Sequence, residues 1–214
     1  MFLELYKSKD KSYHEKNAQE YLVDILLQKK LKGDDKTTTL TALRMEESLK
    51  EITPSMFYTF QYNAKDPVVL GKTSFVDCVP LILCTSVDKK TVCGINFNML
   101  PNDVRASVLD IIYKAFESFY KDDVYGQKPG EVKLNSKFMG MLVNKLSLKN
   151  FLNVLKDKTG VDISKAYRQY NISGMSNVRL VEYDQWRHIP FLSFKDAVRG
   201  ASLANIQAEV VSKK

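Results

Sequence analysis

Apolar and polar positions change rhythm along the chain, and the changes divide it. From Ser12 to Leu31, Ala18, Tyr21, Leu22, Ile25 and Leu26 recur at helical spacing with charges on the opposite side, which predicts an amphipathic helix docking one face. Gly33 with Asp34 and Asp35 stops that helix, and Leu40–Lys50 reads as a second, shorter one before Thr53-Pro54 breaks the pattern. The rhythm then shortens. Met56–Tyr62 alternates Phe57, Thr59 and Gln61 with Tyr58, Phe60 and Tyr62, the pattern of a strand using both faces. Asn63–Asp77, punctuated by Pro67 and Gly71, reads as a loop. Val79–Val87 and Thr91–Phe97 are apolar runs on either side of Asp88-Lys89-Lys90, which predicts a β-hairpin lying beside Phe57–Tyr62. Pro80 marks a strand start or an edge.

Helical periodicity returns after Leu100-Pro101, with Val104, Val108, Ile111, Ile112, Ala115 and Phe119 on one side as far as about Tyr120. Pro101 suits a helix start, with Asn102 or Asp103 as cap. Asp122–Asn135 is the longest clear loop. Two helical segments follow, Phe138–Leu146 and Leu148–Leu155, with Gly160 as a stop and Asp162 or Ser164 capping a short helix to Tyr170. Val178–Tyr183 alternates as a returning strand, Trp186 sits among aromatics as a core anchor, and Ala201–Val211 forms a last helix. The expected architecture is α+β: a small curved antiparallel sheet or partial barrel flanked by helices. Four parts are expected: a helical segment at 1–52, a β-rich body with its packing helix at 53–121, a helical lobe at 122–170, and a returning strand with the C-terminal helix at 171–214.

Charge adds something to one of these parts. The chain carries 32 Lys and Arg against 25 Asp and Glu, a formal +7. Residues 1–120 are balanced, 16 basic against 16 acidic, while 121–170 hold ten basic against five acidic. A basic face on that lobe suits acidic partners. It nominates Lys133, Lys137, Lys145, Lys149, Lys156, Lys158, Lys165 and Arg168 as contacts for DNA phosphates; the competing reading is a solvated lysine-rich surface. The aromatic strand nominates Phe57, Tyr58, Phe60 and Tyr62, as core on one face and as a protein interface on the other.

Catalytic chemistry finds little footing. Gly71-Lys72-Thr73 ends like a phosphate-binding loop, but position 66 is Asp66 where glycine is required. Only His14 and His188 are available as bases for a Ser or Cys nucleophile. The pairs Asp34-Asp35 and Asp122-Asp123 read as turn or cap residues. Cys78, Cys84 and Cys93, odd in number and within apolar runs, suit burial as small hydrophobes in a reducing cytoplasm, and no zinc site or cofactor is expected. No apolar run approaches the ~20 residues that span a bilayer, so a soluble chain without membrane contact is expected.

One stretch resembles a known family. Met56–Lys65, Pro80-Leu81-Ile82-Leu83, and Gly94-Ile95-Asn96-Phe97-Asn98-Met99-Leu100-Pro101 with Arg105 are similar to a recurrent pattern in virion-associated proteins of large contractile-tailed, T-even-like bacteriophages. Tyr167–Tyr170, Val178–Glu182, Trp186 and Gly200-Ala201-Ser202 extend the similarity. The resemblance implies a non-enzymatic structural or assembly protein of the baseplate, neck or head–tail region. Its partners would be other virion proteins, and it would be found in the host cytoplasm during assembly and then in the virion. The alternative is a basic DNA-binding protein, such as a DNA-end-protecting or packaging factor. Within the motif, Gly94 suits close backbone approach or a bulge, Asn96 and Asn98 suit turn amides, and Arg105 is placed to pair with a carboxylate.

Overall fold

The computed structural model describes residues 1–8, 15–19, 52–123, 145–181, 183–192 and 197–212. Of the two predicted N-terminal helices, only residues 15–19 are among these; they are helical, with Ala18 buried. The segment predicted at 40–50 and most of Phe138–Leu146 lie outside the described residues.

Among the described residues eight strands form two antiparallel sheets, so the α+β expectation holds. The larger sheet has five strands in the order β6-β5-β4-β1-β7 and the smaller has three in the order β2-β3-β8. In the larger sheet, β1 (Phe57–Tyr62) lies between β4 (Leu81–Val87) and β7 (Met175–Val181), while β5 (Thr91–Asn96) separates β4 from β6 (Tyr167–Asn171). The β4–β5 hairpin is the predicted one. Its turn is held by the Asp88 carboxylate, which accepts from the amides of Lys90 and Thr91 and from the Thr91 hydroxyl. Those bonds hold the Asp88 carboxyl below its usual range. Pro80 ends the approach to β4 and so costs the ladder nothing.

Three strand assignments differ from expectation. The returning strand expected at Val178–Tyr183 starts earlier, as β7 at Met175–Val181, and Tyr183 already belongs to a 3-10 segment. The stretch read as a loop contains the hairpin of β2 (Val68–Leu70) and β3 (Thr73–Asp77), turned at Gly71 with φ 59° and extended by β8 (Val198–Arg199). The segment read as a helix to Tyr170 is a short 3-10 turn, Ile163–Ala166, capped by Asp162 and leading directly into β6. A boundary at 170 therefore falls inside a strand of the main sheet.

The larger sheet is strongly curled. Its edge strands β6 and β7 are four spacings apart, about 19 Å if flat, and they run in the same direction, so the end of one and the start of the other lie at opposite ends of the sheet. Only Ile172, Ser173 and Gly174 join them, a link that reaches at most about 14 Å. The diagonal corners must meet, and contacts between β1 and β6, three spacings apart in the sheet, show that they do: Asn171 N donates to the Tyr62 hydroxyl, and the Tyr62 and Tyr170 rings meet edge to face at 5.1 Å. The bonds of the link itself extend the flanking ladders, Ile172 N donating to Lys90 O and Asn63 N to Gly174 O. No ladder joins β6 to β7, so the sheet is not closed into a barrel. A bulge helps the bend: between Thr59↔Arg179 and Gln61↔Ser176 the register shifts, and Asn177 adopts φ 52°, a conformation asparagine tolerates better than most residues.

Each face of the curled sheet has its own core. Phe57, Leu81, Leu83, Ile95 and Val181 on the outer face pack with α2 (Asn102–Asp123), whose Val104, Val108, Leu109 and Ile112 are buried, and with Trp186 of the 3-10 segment Tyr183–Phe191. Trp186 meets Phe57 edge-on at 5.0 Å and donates its indole N–H to Val181 O. The predicted anchor role is the observed one. Phe151 and Leu155 of α3 (Lys145–Thr159) join this same core, so the lobe predicted at 122–170 shares the body's interior. Helix α1 (Phe2–Lys7) docks on α2, where the Asp110 carboxylate accepts from the amides of Phe2 and Leu3. The concave face encloses Tyr58, Phe60, Ile82, Cys84, Val92, Tyr170 and Met175.

The C-terminal helix α4 (Leu203–Val211) is capped at both ends, by the Ser202 hydroxyl at Asn205 N and by the Lys165 ammonium on the carbonyls of Glu209 and Ser212. Lys165→Met should therefore fray the last turn and lower stability by about 1 kcal/mol. Urea unfolding with amide exchange at 208–212 checks this; unchanged exchange there would refute it.

Candidate functional site

The aromatic strand is interior on both sides. Phe57, Tyr58 and Phe60 are buried, and Tyr62 is half-buried. Phe60, Tyr62 and Tyr170 form a triangle of edge-to-face rings with centroids 5.1–6.3 Å apart. The Tyr62 hydroxyl accepts from Asn171 N, and the Tyr58 hydroxyl accepts from Thr53 N. The expectation of an interface at Phe57, Tyr58, Phe60 and Tyr62 is thus corrected. Curling folds the second face of the strand inward, so Tyr58, Phe60 and Tyr62 hold the concave core closed, while Phe57 packs into the outer core.

The described members of the predicted basic set do not share one face. Lys133 and Lys137 lie outside the described residues. Lys149, Lys156 and Lys158 are exposed on α3, and Lys145 is that helix's first residue. At 3.6 residues per turn, Lys149 and Lys156 share a stripe, while Lys158 lies roughly half a turn away, across the helix. Lys165 is engaged in capping α4. Arg168 sits on β6 opposite Gly94, half-buried, with Nη1 donating to Tyr167 O. Sequence adjacency grouped residues that the fold disperses.

The Gly94–Arg105 motif proves to be a lattice of fold-holding bonds. At Gly94 a Cβ would lie 2.4 Å from Leu83 O on the neighbouring strand. The approach coincides with a bulge at Thr85, where the β4–β5 register shifts and the Thr85 hydroxyl donates to Cys93 O. Asn96 Oδ1 accepts from Asn98 N at the start of the 3-10 turn Phe97–Met99, and Asn98 Nδ2 donates to Val79 O. The expected roles of Gly94 and Asn96 are seen; Asn98 differs, since its side chain donates to a carbonyl and its Oδ1 meets no amide among the described residues. Arg105 differs too: it is fully buried and, among the described residues, meets no carboxylate. Its guanidinium donates to Leu100 O (2.8 Å), Leu192 O (2.5 Å) and Asn98 O (3.2 Å). Burial pulls its pKa down to about 10, which leaves it charged at neutral pH, its charge dispersed over carbonyl dipoles. Gln207 Nε2, from α4, reaches two of the same carbonyls, those of Asn98 and Leu100.

The most unusual polar grouping was not foreseen. Asp77, the last residue of β3, is buried where the small sheet meets the concave face of the large one. Its Oδ2 accepts from the Tyr170 hydroxyl at 2.7 Å and from Asn96 Nδ2 at 2.7 Å, and Asn96 Nδ2 also reaches the Tyr170 oxygen at 3.0 Å. Asp77 Oδ1 and Arg168 Nε are buried with no hydrogen-bond partner. Desolvation pushes the Asp77 carboxyl up to about 6, opposed by the bonds from Tyr170 and Asn96 and by the charge of Arg168. Burial beside that carboxyl also pushes the Tyr170 phenol well up. The residues come from β3, β5 and β6, so only the strand order brings them together.

The remaining candidates resolve simply. Gly71-Lys72-Thr73 is the β2–β3 turn, and Lys72 N donates to Glu209 Oε1; no strand-to-helix phosphate loop exists there. Cys84 is buried, which pushes its thiol up to about 12, the state of an unreactive core cysteine. Cys78 Sγ accepts from Arg199 Nε at 3.1 Å. Among the described residues there is no group of three or more His, Cys, Asp or Glu side chains placed to hold a metal. No helix among them is long and apolar enough to cross a membrane. Compared with known proteins, the chain matches no family model, no curated protein and no solved structure.

Proposed function

We propose that this chain is a non-enzymatic structural or assembly component of a virion, of the kind carried by large contractile-tailed bacteriophages, and that it works through protein–protein contacts with other virion proteins. The observation that carries the reading is the use of the Gly94–Arg105 segment, the part bearing the resemblance. Asn96, Asn98 and Arg105 direct their polar groups at the chain's own backbone and at Asp77, which is the behaviour of a motif that specifies a fold. Residence in the host cytoplasm during assembly and then in the particle belongs to the same proposal.

With the aromatic strand interior, the contact surface in this reading shifts to exposed apolar positions. Val69, on the edge strand β2, is 73% exposed, the highest value among the described large hydrophobics. Val69→Asp should leave thermal unfolding unchanged and reduce incorporation of the chain into purified particles, measured by quantitative mass spectrometry. Equal incorporation would count against this surface, and absence of the wild-type chain from particles and their assembly intermediates would count against the function.

The DNA-binding alternative loses support from the dispersal of its lysines around and away from α3. Binding to duplex DNA, titrated over a range of salt, is expected to be weak with a shallow salt slope. Nanomolar affinity with a steep slope would reverse the ranking of the two readings.

A further inference from the structure

We propose that Asp77, with Asn96, Arg168 and Tyr170, forms a proton-operated latch that seats the small sheet on the curled corner of the large one, firm while the carboxyl is neutral and loosened when it ionises. The geometry supplies both halves. Asp77 ends β3, pairs with Val198 of β8, and reaches across to Asn96 of β5 and Tyr170 of β6; its side chain thus ties the two sheets together. Its second oxygen, Oδ1, has no partner, so a negative charge there is only half-solvated by the protein.

The groups facing it favour the carboxylate, and its burial opposes them. From β6 come the Tyr170 hydroxyl, already bonded to Oδ2, and the Arg168 guanidinium, whose Nη1 bonds Tyr167 O while its Nε is unpartnered. From β5 comes the neutral Asn96 amide. From β8, Arg199 turns to the Cys78 thiol. Tyr62 of β1 meets the Tyr170 ring edge to face. Arg168 attracts the carboxylate without bonding it, and desolvation outweighs that attraction. A carboxyl raised from 3.8 to about 6 holds a proton in the seated state that an opened state has released. The stability this proton confers is complete below the ordinary carboxyl value and is lost as pH rises through about 6.

The test uses the full chain. The Asp77 carboxyl carbon, followed by NMR, should titrate near 6. Amide protection in β3 and β8, corrected for intrinsic exchange, should fall about tenfold between about pH 5 and about pH 7.5, with little change in β4 and β5. Asp77→Asn should abolish that fall. A midpoint near 4, protection independent of pH, or an equal fall in Asp77→Asn would overturn the latch. Should Asp77→Asn not fold, Tyr170→Phe, which removes a donor to Oδ2, should raise the carboxyl midpoint further; an unmoved midpoint would also overturn it.

Discussion

Gly94→Ala should destabilise the chain by on the order of 3 kcal/mol, lowering Tm by about 6–12 °C for a protein of this size. The cause is backbone against backbone. The added methyl would meet Leu83 O at 2.4 Å and Cys84 Cα at 3.3 Å, and both atoms belong to β4, which is held on its other side by β1. Relief requires parting two strands in the middle of the sheet or undoing the Thr85 bulge. Gly160→Ala is the informative control. Gly160 has φ 71° and no atom within 4 Å of a built Cβ, so its cost is conformational alone, roughly 1 kcal/mol. Thermal and urea unfolding of the pair distinguish crowding from backbone preference. If Gly94→Ala costs no more than Gly160→Ala, the close approach is not what the position requires.

Arg105→Met should cost a similar or larger amount, roughly 3 kcal/mol or more, although methionine fills much of the arginine's volume. Three charge-assisted bonds disappear together. Gln207 still serves the carbonyls of Asn98 and Leu100, but the buried Leu192 O loses its guanidinium donor. The loss is concentrated where the 3-10 turn, the start of α2 and the segment after Phe191 converge. Arg105→Lys should rescue little, because one ammonium cannot reproduce a planar fork aimed at three carbonyls. Equilibrium urea unfolding of both variants measures this; a lysine variant as stable as wild type would show that charge, without the fork, is sufficient.

The sequence exposed the elements whose periodicity is set by burial on one face. β1, the β4–β5 hairpin, α2 and α4 were all legible, as was the core role of Trp186. β6 was misread because Ile163, Ala166, Tyr167 and Tyr170 fall at i, i+3, i+4 and i+7, a helical rhythm produced by a 3-10 turn running into a strand. β2 and β3 were lost because short strands with polar Thr73 and Ser74 look like the turn residues around them. Arg105 carried a signal that charge concealed: with Leu109 and Ile112 it falls on the buried stripe of α2. The Asp77 cluster had no local signal. Asp77 and Tyr170 are 93 positions apart, and their meeting depends on a strand order that no pattern of single residues encodes. The described members of the basic set spread out for the opposite reason: nearness in sequence is not nearness on a surface.

The tether Ile172-Ser173-Gly174 also governs how the molecule comes apart. In an ordinary open sheet the two outermost strands can detach independently, each from its single neighbour. Here the detachment of β7 from β1 pulls on β6 through three residues, and Ile172 and Gly174 are themselves bonded to the β4–β5 tip and to Asn63. The two margins of the sheet therefore open together or not at all. A nick within the tether would turn one cooperative unit into two separately fraying edges without removing a single rung of either ladder.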